Sequence, residues 1–238
     1  MPVSYLRTLI FLFFLGHLCF AQKPRTFDIV QSSILYPHTL KPGYFKSEVA
    51  LSQVKLPFDW LETSAQAPLF HYHAVIGLPK SFSIDSRFST LFVANQLTLG
   101  PRWGKQFDRI SFNTGFDVAY AFGFLNILGF DSSVSTWINY PNLSLGYKTK
   151  DIVFTLKAEL SVVTSNSSRQ GENEIVSDKN FFNGYTLGIY LEQRLWKNHI
   201  FILGFKNTYA KYHFMGWPAF STFNRFYNIP EVYLGLVL

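Results

Sequence analysis

Cysteine is all but missing. The single Cys19 lies in the leading apolar stretch and no other follows it. Cleavage downstream of it leaves a chain without thiols, which excludes disulfides, thiol nucleophiles and cysteine metal ligands. Charge is scarce as well: Lys, Arg, Asp and Glu make up 15% of residues, fewer than the 18% that are aromatic. An ordinary soluble domain carries about 25% charged residues. The formal charge is +6, of which Arg7 is the only contribution from residues 1–21. The remaining basic residues are spread along the chain, and without a clustered basic face nucleic acid is not an expected partner. Also lacking beyond residue 21 is any apolar run of the ~20 residues that a membrane helix needs.

What is present begins with an export signal. Arg7 precedes the apolar run Leu9–Leu15, and Cys19-Phe20-Ala21 ends at a small residue before Gln22. A basic residue, a short apolar core and a small residue at the cut define a secretory signal peptide over residues 1–21. Acylation at Cys19 is the alternative, but the bulky Leu18 stands where a lipoprotein signal wants a small residue.

The dominant pattern lies between Arg109 and Phe124. Even positions carry Ile110, Phe112, Thr114, Phe116, Val118, Tyr120, Phe122 and Phe124, while odd positions are small, polar or charged. Strand side chains alternate between faces, and a soluble strand runs about five or six residues. Alternation this long suits a strand that crosses a bilayer, which takes about 9–11 residues. The expected fold is therefore all-β: an antiparallel transmembrane β-barrel of 8–12 strands over residues 43–238, its aromatic face toward lipid.

Residues 22–42, broken by Pro24, Pro37 and Pro42, predict a periplasmic lead-in or plug segment. Gly43–Leu56 follows as a possible first strand, then Phe70–Leu78. Residues 82–99 change phase partway, from Phe82, Ile84 and Phe88 to Leu91, Val93, Leu97 and Leu99. A one-residue slip exchanges faces, so a β-bulge near Phe88–Leu91 is expected. Gly100-Pro101-Arg102-Trp103-Gly104 reads as a turn, Leu125–Ser133 as a loop, and the polar stretch Ser165–Asn180 as a long solvated loop. Phe214–Asn228 reads as a second long loop, rich in aromatics. The strands found in this way come to an odd number, whereas a barrel with both termini on one side needs an even one. Ten follows if one break has been missed, eight if Gly43–Leu56 stays outside.

The signal ending Phe20-Ala21-Gln22, the Phe/Tyr-rich strands and the short inner turns together resemble the small outer-membrane β-barrels of Bacteroidota. The resemblance covers most of the chain. It implies the outer membrane of a Gram-negative bacterium, with outer-membrane lipid and other outer-membrane proteins as partners, and it implies no activity.

With the apolar faces outward, a lumenal set of Arg109, Asp117, Lys157, Glu159, Glu192, Arg194, Lys206 and Glu231 is expected. Buried charges are costly unless paired, so this set predicts an interlocking network. A wider, porin-like lumen would make it a selectivity filter instead. His71 and His73 share one face and could begin a metal site, although two histidines are an incomplete set; no cofactor is expected. His213 is the one candidate catalytic residue. Barrel enzymes that deacylate lipid A place a serine two residues from such a histidine, but Met215 stands there, and Ser221 and Glu231 lie at unmatched spacing. Trp217, Phe220, Phe223 and Phe226 would form an interface girdle or a contact surface for a partner. The function expected on this basis is non-enzymatic: a structural or accessory subunit of an outer-membrane complex. A passive pore and a lipid-directed enzyme are the alternatives.

Overall fold

The computed structural model describes residues 28–57, 66–127, 130–171, 173–196, 199–214 and 225–238. Ten strands follow a one-turn helix α1 (Ile29–Ser32): β1 (Phe45–Lys55), β2 (Gln66–Gly77), β3 (Phe82–Thr90), β4 (Ala94–Phe107), β5 (Ile110–Ile127), β6 (Phe130–Lys148), β7 (Ile152–Gln170), β8 (Asn173–Trp196), β9 (His199–Ala210) and β10 (Tyr227–Val237). Each pairs with its sequence neighbour, and β1 pairs antiparallel with β10 from Glu48↔Val237 to Val54↔Glu231, closing the barrel.

The long alternating stretch becomes β5, with Ile110, Phe116, Val118 and Phe124 exposed and Ser111, Asp117, Ala119 and Ala121 buried. Every strand repeats this arrangement. Val49 and Leu51 on β1, Leu97 and Leu99 on β4, Leu156 on β7 and Leu234 on β10 all face outward. Soluble monomers rarely expose contiguous apolar patches beyond a few hundred Å², whereas a transmembrane barrel presents such a belt to lipid. Aromatics edge it on both sides. Tyr120 meets Trp137 at 4.8 Å near one rim, and Trp103 meets Phe112 at 5.6 Å near the other. Trp137 and Tyr147, both exposed on β6, are separated by about 34 Å of strand. At a tilt of about 40° that is a band about 26 Å tall, the height expected of a barrel's lipid belt.

Several sequence expectations give way here. Residues 82–99 hold no bulged strand: they are two strands joined by a turn at Leu91–Val93, and this is the break that brings the count to ten. The turn contains no Gly, Pro, Asn or Asp. Phe92 takes a positive φ of 58°, and the Thr90 hydroxyl accepts its N–H at 3.2 Å, so a threonine side chain replaces the usual turn residues. Gly100–Gly104 is not a turn but the middle of β4. Pro101 stands opposite Ile84 on β3, and the ladder to β5 skips Gly100 and Pro101; Pro lacks the donor that the ladder needs. Leu125–Ser133 and Ser165–Asn180 are largely strand as well, because β5–β6 and β7–β8 run on as long hairpins. Their polar residues alternate in a ladder that continues past the apolar belt.

Candidate functional site: a plugged, ion-paired lumen

The mouth at the chain termini is filled by residues 28–42. Asp28 caps α1 by accepting the Val30 N–H at 3.0 Å. The next turn delivers three backbone N–H groups to one carboxylate on β8: Ile34 and Leu35 donate to Glu192 Oε1 at 2.8 and 3.3 Å, and Tyr36 donates to Oε2 at 2.7 Å. Lys46 of β1 donates to Ser33 O at 2.6 Å, Thr39 donates to Gly104 O at 3.3 Å, and Ser111 donates to Pro37 O. Around these bonds Ile29, Val30, Ile34, Tyr36 and Leu40 pack on Val75, Val153, Ile200, Ile202 and Val237 of the barrel wall. Gly146 admits the Tyr36 ring, since a Cβ there would collide with it. His38, within the segment, is buried beside Lys46 of β1. Desolvation, and next the Lys46 ammonium, push its ring from the ordinary 6.5 down to about 3, so it is neutral in the seated plug.

Above the plug a continuous ionic network crosses the lumen. Tyr233 donates to Glu48 Oε1 at 2.6 Å. Glu48 Oε2 lies 3.2 Å from His73 Nδ1, and His73 Nε2 lies 2.6 Å from Asp85 Oδ2. Arg102 joins Asp85 at 2.9 Å, Arg87 joins Asp117 at 2.6 Å and Glu159 at 3.1 Å, and Lys157 joins Glu159 at 2.7 Å. Gly100 gives Asp117 its room, because a Cβ there would meet the carboxylate. A separate pair, Lys206–Glu231 at 2.7 Å, stands beside His71, which lies 3.6 Å from Glu231. His71 also contacts Ser52 at 2.7 Å and Ser89 at 2.8 Å.

Among the described residues, the lumenal carboxylates are Glu48, Asp85, Asp117, Glu159, Glu192 and Glu231. They are matched in number by Lys46, Arg87, Arg102, Lys157, Lys206 and a His73 ring that donates from both nitrogens when protonated. Buried charges persist when paired and hydrogen-bonded, and a balanced interior meets that condition.

The structure thus brings Asp117, Lys157, Glu159, Glu192, Lys206 and Glu231 into the lumen. It leaves out two of the expected set: Arg109 is exposed in the β4–β5 turn, and Arg194 is exposed toward the end of β8. At a strand terminus, alternation no longer decides between lumen and solvent. His71 and His73 both face inward, but no group of three His, Asp or Glu able to hold a metal occurs among the described residues. His213 faces a cavity of about 160 Å³ in the upper lumen, to which Arg87, Lys157, Lys206, Glu159, Glu231 and Tyr190 also contribute. Burial lowers its ring below the ordinary value, and Nδ1 has no hydrogen-bond partner among the described residues. Phe226 packs on Tyr209 with ring centroids 5.1 Å apart. Trp217, Phe220 and Phe223 lie outside the described residues, as do Met215 and Ser221. Asp85 and Arg87 alternate with Phe82, Ile84 and Phe88 and so already shared the inward phase, although the expected set did not include them. Arg102 was missed because Gly100–Gly104 read as a turn and is instead the middle of β4.

A closed cylinder that is apolar outside and ion-paired inside, with residues 28–42 seated in one mouth, defines a transmembrane β-barrel. No protein-family model matches the chain, and no curated protein sequence matches it. Among solved structures, the Neisserial surface protein A (NspA) is similar at 11% identity and a TM-score of 0.37, over 82% of this chain and 94% of that one. The translocator domain of the autotransporter NalP from Neisseria meningitidis is similar at 7% identity and 0.37, over 81% and 87%. A FadL homologue of Pseudomonas aeruginosa is similar at 10% identity and 0.34, over 90% and 98%. Likenesses at this level carry no functional inference.

Proposed function

We propose that the protein is a non-enzymatic outer-membrane barrel that acts as a structural or accessory subunit rather than an open pore. The observation that carries this reading is the seating of residues 28–42 in the terminal mouth, with three backbone N–H groups on Glu192. A diffusive channel needs a continuous water path, and here apolar packing of Tyr36, Ile34 and Leu40 fills one end. The apolar belt and the two aromatic rims support the membrane location. The export signal and the resemblance to Bacteroidota barrels support the outer membrane of a Gram-negative cell. Outer-membrane lipid is the expected surround, and neighbouring outer-membrane proteins are the expected partners.

A gated passive channel is the second reading. It is favoured by the β1–β10 seam, which closes the barrel without any help from the plug. Planar-bilayer recording separates the two. The intact protein is expected to be electrically silent, and deletion of residues 28–42 to produce steady conductance. Steady conductance from the intact protein overturns the occluded reading. A folded barrel that shifts on boiling, recovered from the outer-membrane fraction, is the accompanying check; recovery from the soluble periplasm overturns the membrane reading.

A further inference from the structure

The cavity above the plug has a chemical character that its walls define. Its floor includes Leu35 of the plug and its wall includes Phe214, so it lies on the far side of the plug from the terminal mouth. Two ion pairs face it from different strands: Lys206–Glu231 on β9 and β10, and Lys157–Glu159 on β7, the latter shared with Arg87 of β3. Both Lys157 and Arg87 contact Glu159 through Oε1, and both Lys206 and His71 approach Glu231 through Oε1. His213 Nδ1 has no hydrogen-bond partner among the described residues. Acceptors and cationic donors are thus offered together within about 160 Å³, room for a handful of non-hydrogen atoms.

We propose that this cavity binds a small zwitterion of amino-acid size, its ammonium toward Glu231 and its carboxylate toward Arg87 and Lys157. The balance of the lumen decides between classes of guest. The lumenal carboxylates and cations are equal in number, so a lone anion or a lone cation leaves one uncompensated charge in a weakly screened interior. A zwitterion adds both signs and no net charge, and its two ends meet groups of opposite charge. A neutral alcohol adds no charge either, but it has no charged end to set against Glu231 or against Arg87 and Lys157.

The test uses the full chain purified in detergent, with alanine, acetate, ethylamine and propanol titrated separately and binding read by calorimetry. Alanine is expected to bind, and the other three to bind at least ~10-fold more weakly. The double variant Lys206→Met, Glu231→Gln removes both charges and keeps the balance; it is expected to weaken alanine by at least ~10-fold while retaining the heat shift of a folded barrel. If that variant fails to fold, Thr186→Leu, which fills the cavity without changing charge, serves in its place. Equal or tighter binding of acetate or ethylamine overturns the proposal. So does the absence of alanine binding, and so does alanine binding that neither variant weakens. None of these outcomes bears on whether the barrel is occluded, which the conductance measurement decides separately.

Discussion

Glu192 Oε1 accepts the backbone N–H of Ile34 at 2.8 Å across 158 residues of chain. One carboxylate on a strand near the end of the barrel thereby holds the segment that precedes the first strand. This contact leads to the first prediction.

Glu192→Ala removes the shared acceptor of three buried donors. A buried group left without its partner costs about 1–3 kcal/mol, so amide exchange at Ile34, Leu35 and Tyr36 should accelerate by roughly 5- to 150-fold. The strand ladder does not depend on this residue, and the heat shift of the barrel should persist. Unchanged exchange at these three amides would mean that the plug is seated by apolar packing alone.

The part of plug docking that depends on His38 should weaken in acid. His38 is neutral in the seated plug down to about pH 3, whereas a released segment takes up a proton near the ordinary 6.5. The released state therefore binds more protons below 6.5, and stability falls as pH falls. The His38 contribution to docking is at full strength above 6.5 and falls by up to about 1.4 kcal/mol per pH unit between there and about 3, a loss read as the difference between the intact protein and His38→Leu. Exchange of the plug amides at pH 5 and 7, corrected for intrinsic rates, should show the loss, and His38→Leu should flatten it. A profile that His38→Leu leaves unaltered assigns the acid response to other groups.

Gly146→Val places a side chain where the Tyr36 ring lies. Overpacking of this kind costs about 1–3 kcal/mol, and here the plug can yield while the wall stays. Protease cleavage within residues 28–42 is expected, with the barrel core protected. Loss of the barrel itself would place this glycine's role in the strand ladder instead.

Asp117→Ala should be among the most damaging lumenal changes. It leaves the Arg87 and Arg102 guanidinium groups, at 2.6 and 3.4 Å, without one of their acceptors. Removing one member of a buried pair costs about 3–5 kcal/mol, read as a lower temperature for the heat-shift transition. Adding Arg102→Met should restore part of the loss, since two absent charges cost less than one unpaired charge. Additive effects of the two changes would contradict the coupling.

The outline of the fold was legible in the alternation, because the two-residue period of a strand survives in any environment that differs on its two sides. The β5 faces could be read directly from Ile110–Phe124. The turn at Leu91–Val93 was not legible by composition, since Thr90 does with a side chain what turns usually do with Gly or Asn. Its trace was the phase change, which a bulge and a hairpin produce alike. Gly100-Pro101 misled for the converse reason: two turn-favouring residues serve inside a strand, one by making room for Asp117 and the other by standing where the ladder to β5 is interrupted. The same misreading kept Arg102 out of the expected ionic network, while Glu48, Asp85 and Arg87 were on inward phases that the alternation already offered. The grip of Glu192 on the plug was beyond reach altogether, because no local period reports what a distant backbone will present.

The plug also constrains the order of assembly. Its anchor on β8 does not exist until most of the chain has been laid down, yet residues 28–42 are the first of the described chain to emerge. They must wait, unburied, while hairpins accumulate, and their apolar side chains and free amides need company during that interval. Capture requires β8 to be in place, so seating of the stopper is expected to fall late, when little but the seam between β1 and β10 is left to form. A slow final step in refolding, sensitive to Glu192 but not to the lipid-facing residues, would be the signature of a lumen that is closed around its own leading end.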